Sequence, residues 1–191
     1  ALVGYTNAGK SSLLAALVGD QIECLDADDE DNRFSVDDKV FATLDPLTRR
    51  VEVADQTALV TDTVGFVSKL PAQVVAAFRA TLEEVSNAAV IVHVVDASAP
   101  RHIIRARCQV VDEELDALGC RGTPKLVFYN KLDAMHDSSS LREKAAVSKN
   151  VAVGSAASGD LGSLREQLAG ILADALLDVR VTLPYDDASY G

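Results

Sequence analysis

The run Gly4-Tyr5-Thr6-Asn7-Ala8-Gly9-Lys10-Ser11 constrains the chain more than any other feature, because it fits G-x-x-x-x-G-K-S/T and joins two segments of different character. Before it stands an apolar stub, Ala1-Leu2-Val3, and after it comes Ser12-Leu13-Leu14-Ala15-Ala16-Leu17, which suits a helix. A strand that turns through glycines into a helix curls its backbone N–H groups around a concavity and adds the positive end of the helix dipole. Phosphate groups fit such a cradle. Lys10 then reaches β/γ oxygens, and the Ser11 hydroxyl ligates Mg²⁺.

The rest of the chain agrees with that start. Apolar, β-branched runs at 1–3, 51–54, 58–61, 89–95, 125–129 and 151–153 alternate with segments of helical character at 10–18, 72–86, 101–118, 140–147 and 161–177. This alternation predicts an α/β fold with a mainly parallel, six-stranded sheet and helices on both faces. Within 72–86, Val74, Val75, Phe78, Leu82 and Val85 form one amphipathic stripe. A chain of 191 residues suits one domain and needs no disulfide or metal to hold its core together. Cys24, Cys108 and Cys120 show no C-x-x-C spacing, which argues against a disulfide framework or zinc site and for a reducing compartment. His93 sits inside an apolar strand and reads as a core histidine, whereas His102 and His136 fall in surface segments. No run of 18 apolar residues is present, so no membrane-spanning helix is expected.

Charge is distributed unevenly. Residues 20–38 hold nine carboxylates against Arg33 alone and supply −8 of the net −11. Such acidity argues against binding nucleic acid by bulk electrostatics. The stretch 20–47 has no clear period and reads as a long surface loop. At the other end, 179–184 alternates like a strand and then turns polar, so the domain is expected over 1–178, with 179–191 a linker or the start of a further domain. The stub at Ala1 looks like a buried strand cut short, so the chain reads as part of a longer protein.

Two further elements complete a nucleotide site. The apolar strand 57–61 runs into Asp62-Thr63-Val64-Gly65, where Asp62 would hold Mg²⁺ through water and the Gly65 N–H would sense the γ-phosphate. After Leu126-Val127-Phe128-Tyr129 comes Asn130-Lys131-Leu132-Asp133. A carboxylate at Asp133 can accept from both the N1–H and the exocyclic amino group of guanine, which selects GTP over ATP. Asn130 and Lys131 would brace the loop and cover the base. Ser155, Ala156 and Ala157, in the small-residue segment 154–159, can lay their backbone beside the purine. This order of elements is that of the Ras-like GTPases.

The segments GYTNAGKSSL, FATLDPLTRR, DTVGFVSKLP and FRATLEEV together resemble the HflX family of translation-associated GTPases over about residues 1–178. The resemblance implies a GTPase that converts GTP to GDP and phosphate and works as a ribosome-associated switch on the large subunit, several relatives separating stalled or idle ribosomes. It makes Phe41, Ala42, Thr43, Leu44 and Asp45 the first switch and residues 62–82 the second. Thr43 would close over the γ-phosphate and complete a Mg²⁺ set of Ser11, Thr43 and, through water, Asp62. The nucleotide would lie against Gly4, Tyr5, Thr6, Asn7, Ala8, Gly9, Lys10, Ser11 and Ser12 as well as the later elements. Family members also have a glycine-rich N-terminal domain and usually a short C-terminal one, act as monomers, and work in the cytoplasm, or in an organelle where a targeting signal precedes the domain. The acidic stretch 23–38 looks like an insertion just before the first switch.

The position after D-x-x-G, where many GTPases place a water-orienting Gln, holds Phe66. Slow intrinsic hydrolysis, stimulated by a partner that orders the switches, is the expectation. Other GTPases lacking that Gln use an Asn at the position of Asn7 to help bind K⁺, which gives a catalytic set of Lys10, Thr43, Asp62, Gly65 and Asn7. Two alternatives stand beside this. One is a nucleotide-gated binding module with incidental turnover, which Phe66 supports; the other is an ATP-using P-loop enzyme, which Asp133 opposes.

Overall fold

The computed structural model describes residues 1–22, 47–53, 56–66 and 84–175. Its elements are β1 (Leu2–Gly4), α1 (Lys10–Ile22), β2 (Leu47–Val53), β3 (Gln56–Asp62), β4 (Ile91–Asp96), α2 (Arg101–Ala117), β5 (Lys125–Asn130), α3 (Ser139–Val147), β6 (Val151–Val153) and α4 (Gly162–Ala175). They form one six-stranded sheet in the order β2-β3-β1-β4-β5-β6. Every neighbouring pair is parallel except β2 with β3. The expected fold class is therefore the observed one.

Sequence explains this order. β4 reads Ile-Val-His-Val-Val-Asp, and its first five residues are all buried, as a central parallel strand covered on both faces requires. At the antiparallel edge, β2 instead buries Val51 and Val53 while exposing Thr48, Arg50 and Glu52. Cross-strand pairs stitch that exposed face, with the Thr48 and Thr61 hydroxyls 2.8 Å apart and Thr57 Oγ1 donating to Glu52 Oε1 at 2.7 Å.

On one side of the sheet, Leu13, Leu14 and Leu17 of α1 and Leu164 and Leu168 of α4 pack against Val51, Val92 and Phe128. On the other, Val111 and Leu115 of α2 meet Val3, Ile91 and Phe66. A smaller cluster of Ala97, Leu132, Ala145, Val151 and Val153 seats α3. Helices thus cover both faces, and the carboxyl ends of β1, β3, β4, β5 and β6 share one edge, where ligands bind in sheets of this kind.

Boundaries differ from expectation where pairing decides them. β2 begins at Leu47 rather than at residue 51, because Leu47 to Val53 pairs in continuous register with Asp62 to Gln56. Arg49 and Arg50 are thereby strand residues. α1 continues to Ile22, into the expected loop, and two short 3₁₀ turns, Cys120–Gly122 and Leu132–Ala134, were not foreseen. Residues 84–86 of the expected helix 72–86 are helical. The remainder of that helix, the acidic stretch 23–38, the first switch 41–45 and the tail 179–191 lie outside the described residues. No helix among the described residues is long and apolar enough to cross a membrane.

His93 is 3% exposed on β4. Burial pushes its pKa down from 6.5 to about 4, with Asp112 opposing that shift and Lys125 adding to it. The unfolded chain therefore takes up this proton first as pH falls, so the stability tied to neutral His93 is complete above about pH 6.5 and is lost between pH 6.5 and 4, amounting to about 3 kcal/mol. Denaturant titrations of wild type and His93→Leu at pH 7, 5.5 and 4.5 should diverge, with the wild type losing more stability on acidification. Parallel pH profiles would contradict this account.

Candidate nucleotide site

β1 ends at Gly4 and α1 starts at Lys10, so the glycine motif is the turn between them. Leu13 N donates to Gly9 O at 2.9 Å, starting the helical ladder inside the motif. Gly9 has φ +92° and lies against Asn130 Nδ2, which a Cβ there would overlap. Asn7 is exposed at the crest of the loop in the left-handed region, with φ +60°. Lys10 is only 7% exposed. Burial holds its ammonium below the usual lysine range, and the nearby Asp62 charge opposes that shift.

Ser11 Oγ donates to Asp62 Oδ2 at 2.6 Å, bringing the hydroxyl at the start of α1 to the carboxylate at the end of β3. A hydroxyl and a carboxylate side by side are hard oxygen donors of the kind Mg²⁺ takes alongside water and phosphate oxygens, so this pair fits that ion. Thr43 lies outside the described residues, as do Phe41, Ala42, Leu44 and Asp45.

Downstream of Asp62, side chains are committed to the fold and the main chain meets the P-loop. Thr63 Oγ1 donates to Leu2 O at 2.6 Å, and Val64 is buried. Gly65 lies so close to the P-loop that a Cβ would stand 2.9 Å from Thr6 Cα and 3.1 Å from Lys10 Nζ. Phe66 N donates to Gly4 O and Thr6 N to Phe66 O, each at 3.0 Å. The Phe66 ring is 2% exposed and packs in the core with Val3 and Ile91. Tyr5, in the same bridge, carries the Arg107 guanidinium 5.0 Å above its ring.

The loops after β5 and β6 close the other end. Asn130 is buried and doubly used, with Nδ2 donating to Ala8 O at 3.0 Å and Oδ1 accepting from Ala156 N at 2.9 Å. It thus ties the phosphate loop to the loop after β6. Lys131, with φ +67°, sends Nζ to Asn7 O at 2.8 Å and to Asp96 Oδ2 at 3.0 Å. Leu132 is a core residue whose N donates to Gly154 O at 3.1 Å. Asp133 is exposed, and its Oδ1 accepts a short hydrogen bond from the buried Ser155 hydroxyl. Ala157 is exposed next to the half-buried Ala156.

One carboxylate here was not anticipated. Asp96 ends β4, where its Oδ1 accepts from Ser98 N at 3.0 Å and from Ser98 Oγ at 2.5 Å, while Oδ2 faces Lys131. Burial acts to raise its pKa, but the Ser98 hydrogen bonds and Lys131 outweigh it and hold the carboxyl below the usual range. Its position at the carboxyl end of a parallel strand was the available signal.

The glycine cradle, the Ser11–Asp62 pair and the Asp133 loop all stand on one edge of one mainly parallel sheet, and that combination defines a Ras-like P-loop GTPase domain. Residues 1–131 match the model of the 50S ribosome-binding GTPase family. The chain is 37% identical to the GTPase HflX of Magnetococcus marinus over 191 residues, covering 100% of this chain and 41% of that protein. Its identity to the GTPase HflX of Escherichia coli is 40% over 138 residues, or 71% of this chain and 29% of the relative. Among solved structures, a GTP-binding protein from the archaeon Sulfolobus solfataricus in complex with GDP is similar at TM-score 0.68 and 26% identity, covering 91% of this chain and 51% of that one. The chain belongs to the HflX family of GTPases. It spans less than half the length of these curated relatives.

Proposed function

We propose that this chain binds GTP, hydrolyses it to GDP and phosphate, and serves as the nucleotide switch of a ribosome-associated protein acting on the large subunit, in the cytoplasm or its organellar counterpart. The observation that carries this reading is the coupling of the two ends of the site. Asn130 joins Ala8 to Ala156, and Ser155 holds Asp133, so a guanine-selective carboxylate is fixed relative to a phosphate cradle. The GDP-bound Sulfolobus structure and the 50S ribosome-binding family model support the nucleotide and the partner respectively.

In this reading the P-loop amides and Lys10 neutralise developing phosphate charge, and positioning does most of the rest. Mg²⁺, when bound, supplies further charge neutralisation, and Ser11, Thr43 and, through water, Asp62 would hold it. Thr43 and the Gly65 amide would meet the γ-phosphate and release when it leaves, an order–disorder switch. Asn7, exposed at the crest, would help hold K⁺. Residues 1–178 would form this domain and 179–191 lead out of it, the chain acting as a monomer.

The core position of Phe66 favours a second reading, in which turnover is incidental and the nucleotide state merely gates a partner. Turnover by the 191-residue chain with Mg²⁺, in K⁺ and in Na⁺, with and without purified large subunits, separates the two. We expect slow hydrolysis, faster in K⁺, and at least roughly tenfold stimulation by subunits. Tight GDP binding without stimulation would favour the gated module.

A further inference from the structure

We propose that Asp96 is a positioning residue that governs how long the nucleotide stays bound, by steering the Lys131 ammonium onto the P-loop carbonyl of Asn7. The inference rests on the guanine-nucleotide reading above. Lys131 and Asn7 are the only described non-glycine residues with positive φ, and they belong to loops after different strands. One ammonium joins them: Lys131 Nζ donates to Asn7 O at 2.8 Å and to Asp96 Oδ2 at 3.0 Å. Lysine has a flexible four-carbon stem and a point charge, so a contact to one carbonyl would not by itself fix its direction. Asp96 supplies the fixed counter-charge.

Its carboxylate is itself held. Asp96 Oδ1 takes both the N–H and the hydroxyl of Ser98, leaving Oδ2 for Lys131, and Ala97 N donates to Asn130 O at 2.9 Å, locking the end of β4 to the end of β5, which Lys131 directly follows. Asp96 pairs with Asn130 in the β4–β5 register. The Asp96 side chain is 15% exposed and that of Lys131 36%, so the pair is screened less than a surface ion pair. Ser98, Asp96, Lys131 and Asn7 therefore form one relay from the end of β4 to the crest of the phosphate loop. Asp96 touches neither phosphate nor base in this scheme. It acts through Lys131, and its loss should free both loops at once, speeding dissociation of GDP and GTP alike while leaving the chemical step of bound GTP almost untouched.

The test uses fluorescent GDP and GTP analogues with the whole chain, measuring dissociation rates, and single-turnover hydrolysis at saturating GTP. Asp96→Ala should raise both dissociation rates about tenfold or more, as expected for a lost charge-assisted hydrogen bond. Asp96→Asn, which keeps one acceptor oxygen but replaces the other, and the negative charge, by an N–H donor, should fall between it and wild type, and the single-turnover rate should change less than about threefold in either. In a Lys131→Met background, which keeps the apolar stem, Asp96→Ala should add nothing. Should Lys131→Met bind too weakly for rates, the same comparison is read from the rise in melting temperature at saturating GDP. Unchanged dissociation from Asp96→Ala, or an effect that persists without the Lys131 ammonium, overturns the inference. A wild-type chain that fails to bind either guanine nucleotide overturns instead the reading on which it rests.

Discussion

Asp133→Asn is expected to weaken GTP binding by roughly 10²–10³-fold and to create affinity for xanthosine triphosphate where the wild type has little. The carboxylate can accept from both the N1–H and the exocyclic amino group of guanine, and each such charge-assisted hydrogen bond contributes about 1.5–3 kcal/mol. An amide replaces one of the two acceptors by a donor, leaving the exocyclic amino group of guanine facing an N–H. Xanthine carries a carbonyl at that position, so it accepts where guanine donates, and the pairing is restored. The Ser155 hydroxyl, which donates to Asp133 Oδ1, still finds an oxygen on asparagine, so the loop should keep its shape. Competition of GTP, ATP and XTP against a fluorescent GDP analogue reads the outcome directly. Equal loss for all three would mean that the loop had collapsed. An unchanged preference for GTP would mean that Asp133 does not meet the base.

How far the sequence foretold this site depends on whether a residue's role is local or arises from pairing. The glycine cradle is local: its spacing and the flanking change of period sufficed, and the strand, turn and helix stand where that pattern puts them. The ends of β3 and β5 were equally legible, because a polar motif after an apolar run marks where a parallel strand leaves the sheet. The start of β2 was so only in part, since Arg49 and Arg50 suit a solvated strand start whereas Leu47 and Thr48 become strand only through their partners on β3. Asp96 was missed for a related reason. A lone aspartate after a strand looks like any turn residue until the β4–β5 register places it beside Asn130 and within reach of Lys131. Thr63 shows the converse, a motif residue whose hydroxyl serves the fold by bonding Leu2 O.

Phe66 is where a local reading stops short, since its place in the motif identifies a missing glutamine but says nothing of where its side chain goes. Phe66→Gln, the obvious attempt to restore a water-orienting group, should destabilise the chain by about 3–5 kcal/mol and leave intrinsic GTP turnover no faster. Two backbone hydrogen bonds pair residue 66 with the P-loop, from Phe66 N to Gly4 O and from Thr6 N to Phe66 O. That pairing fixes which way the Cβ points, and the ring accordingly lies in the core among Val3, Ile91, Val111 and Leu115. A glutamine there loses the apolar burial of the ring and leaves an amide without partners in a dry environment, two costs that add. At about 2–4 °C per kcal/mol for a chain of this size, the melting temperature should fall by roughly 10 °C. Phe66→Leu, which keeps most of the volume, should cost about 1–2 kcal/mol and serves as the packing control. Calorimetry together with single-turnover hydrolysis decides it. Faster hydrolysis with little loss of stability would show that residue 66 swings from the core into the site, whereas destabilisation without acceleration assigns its side chain to the core and leaves the orientation of the attacking water to other groups.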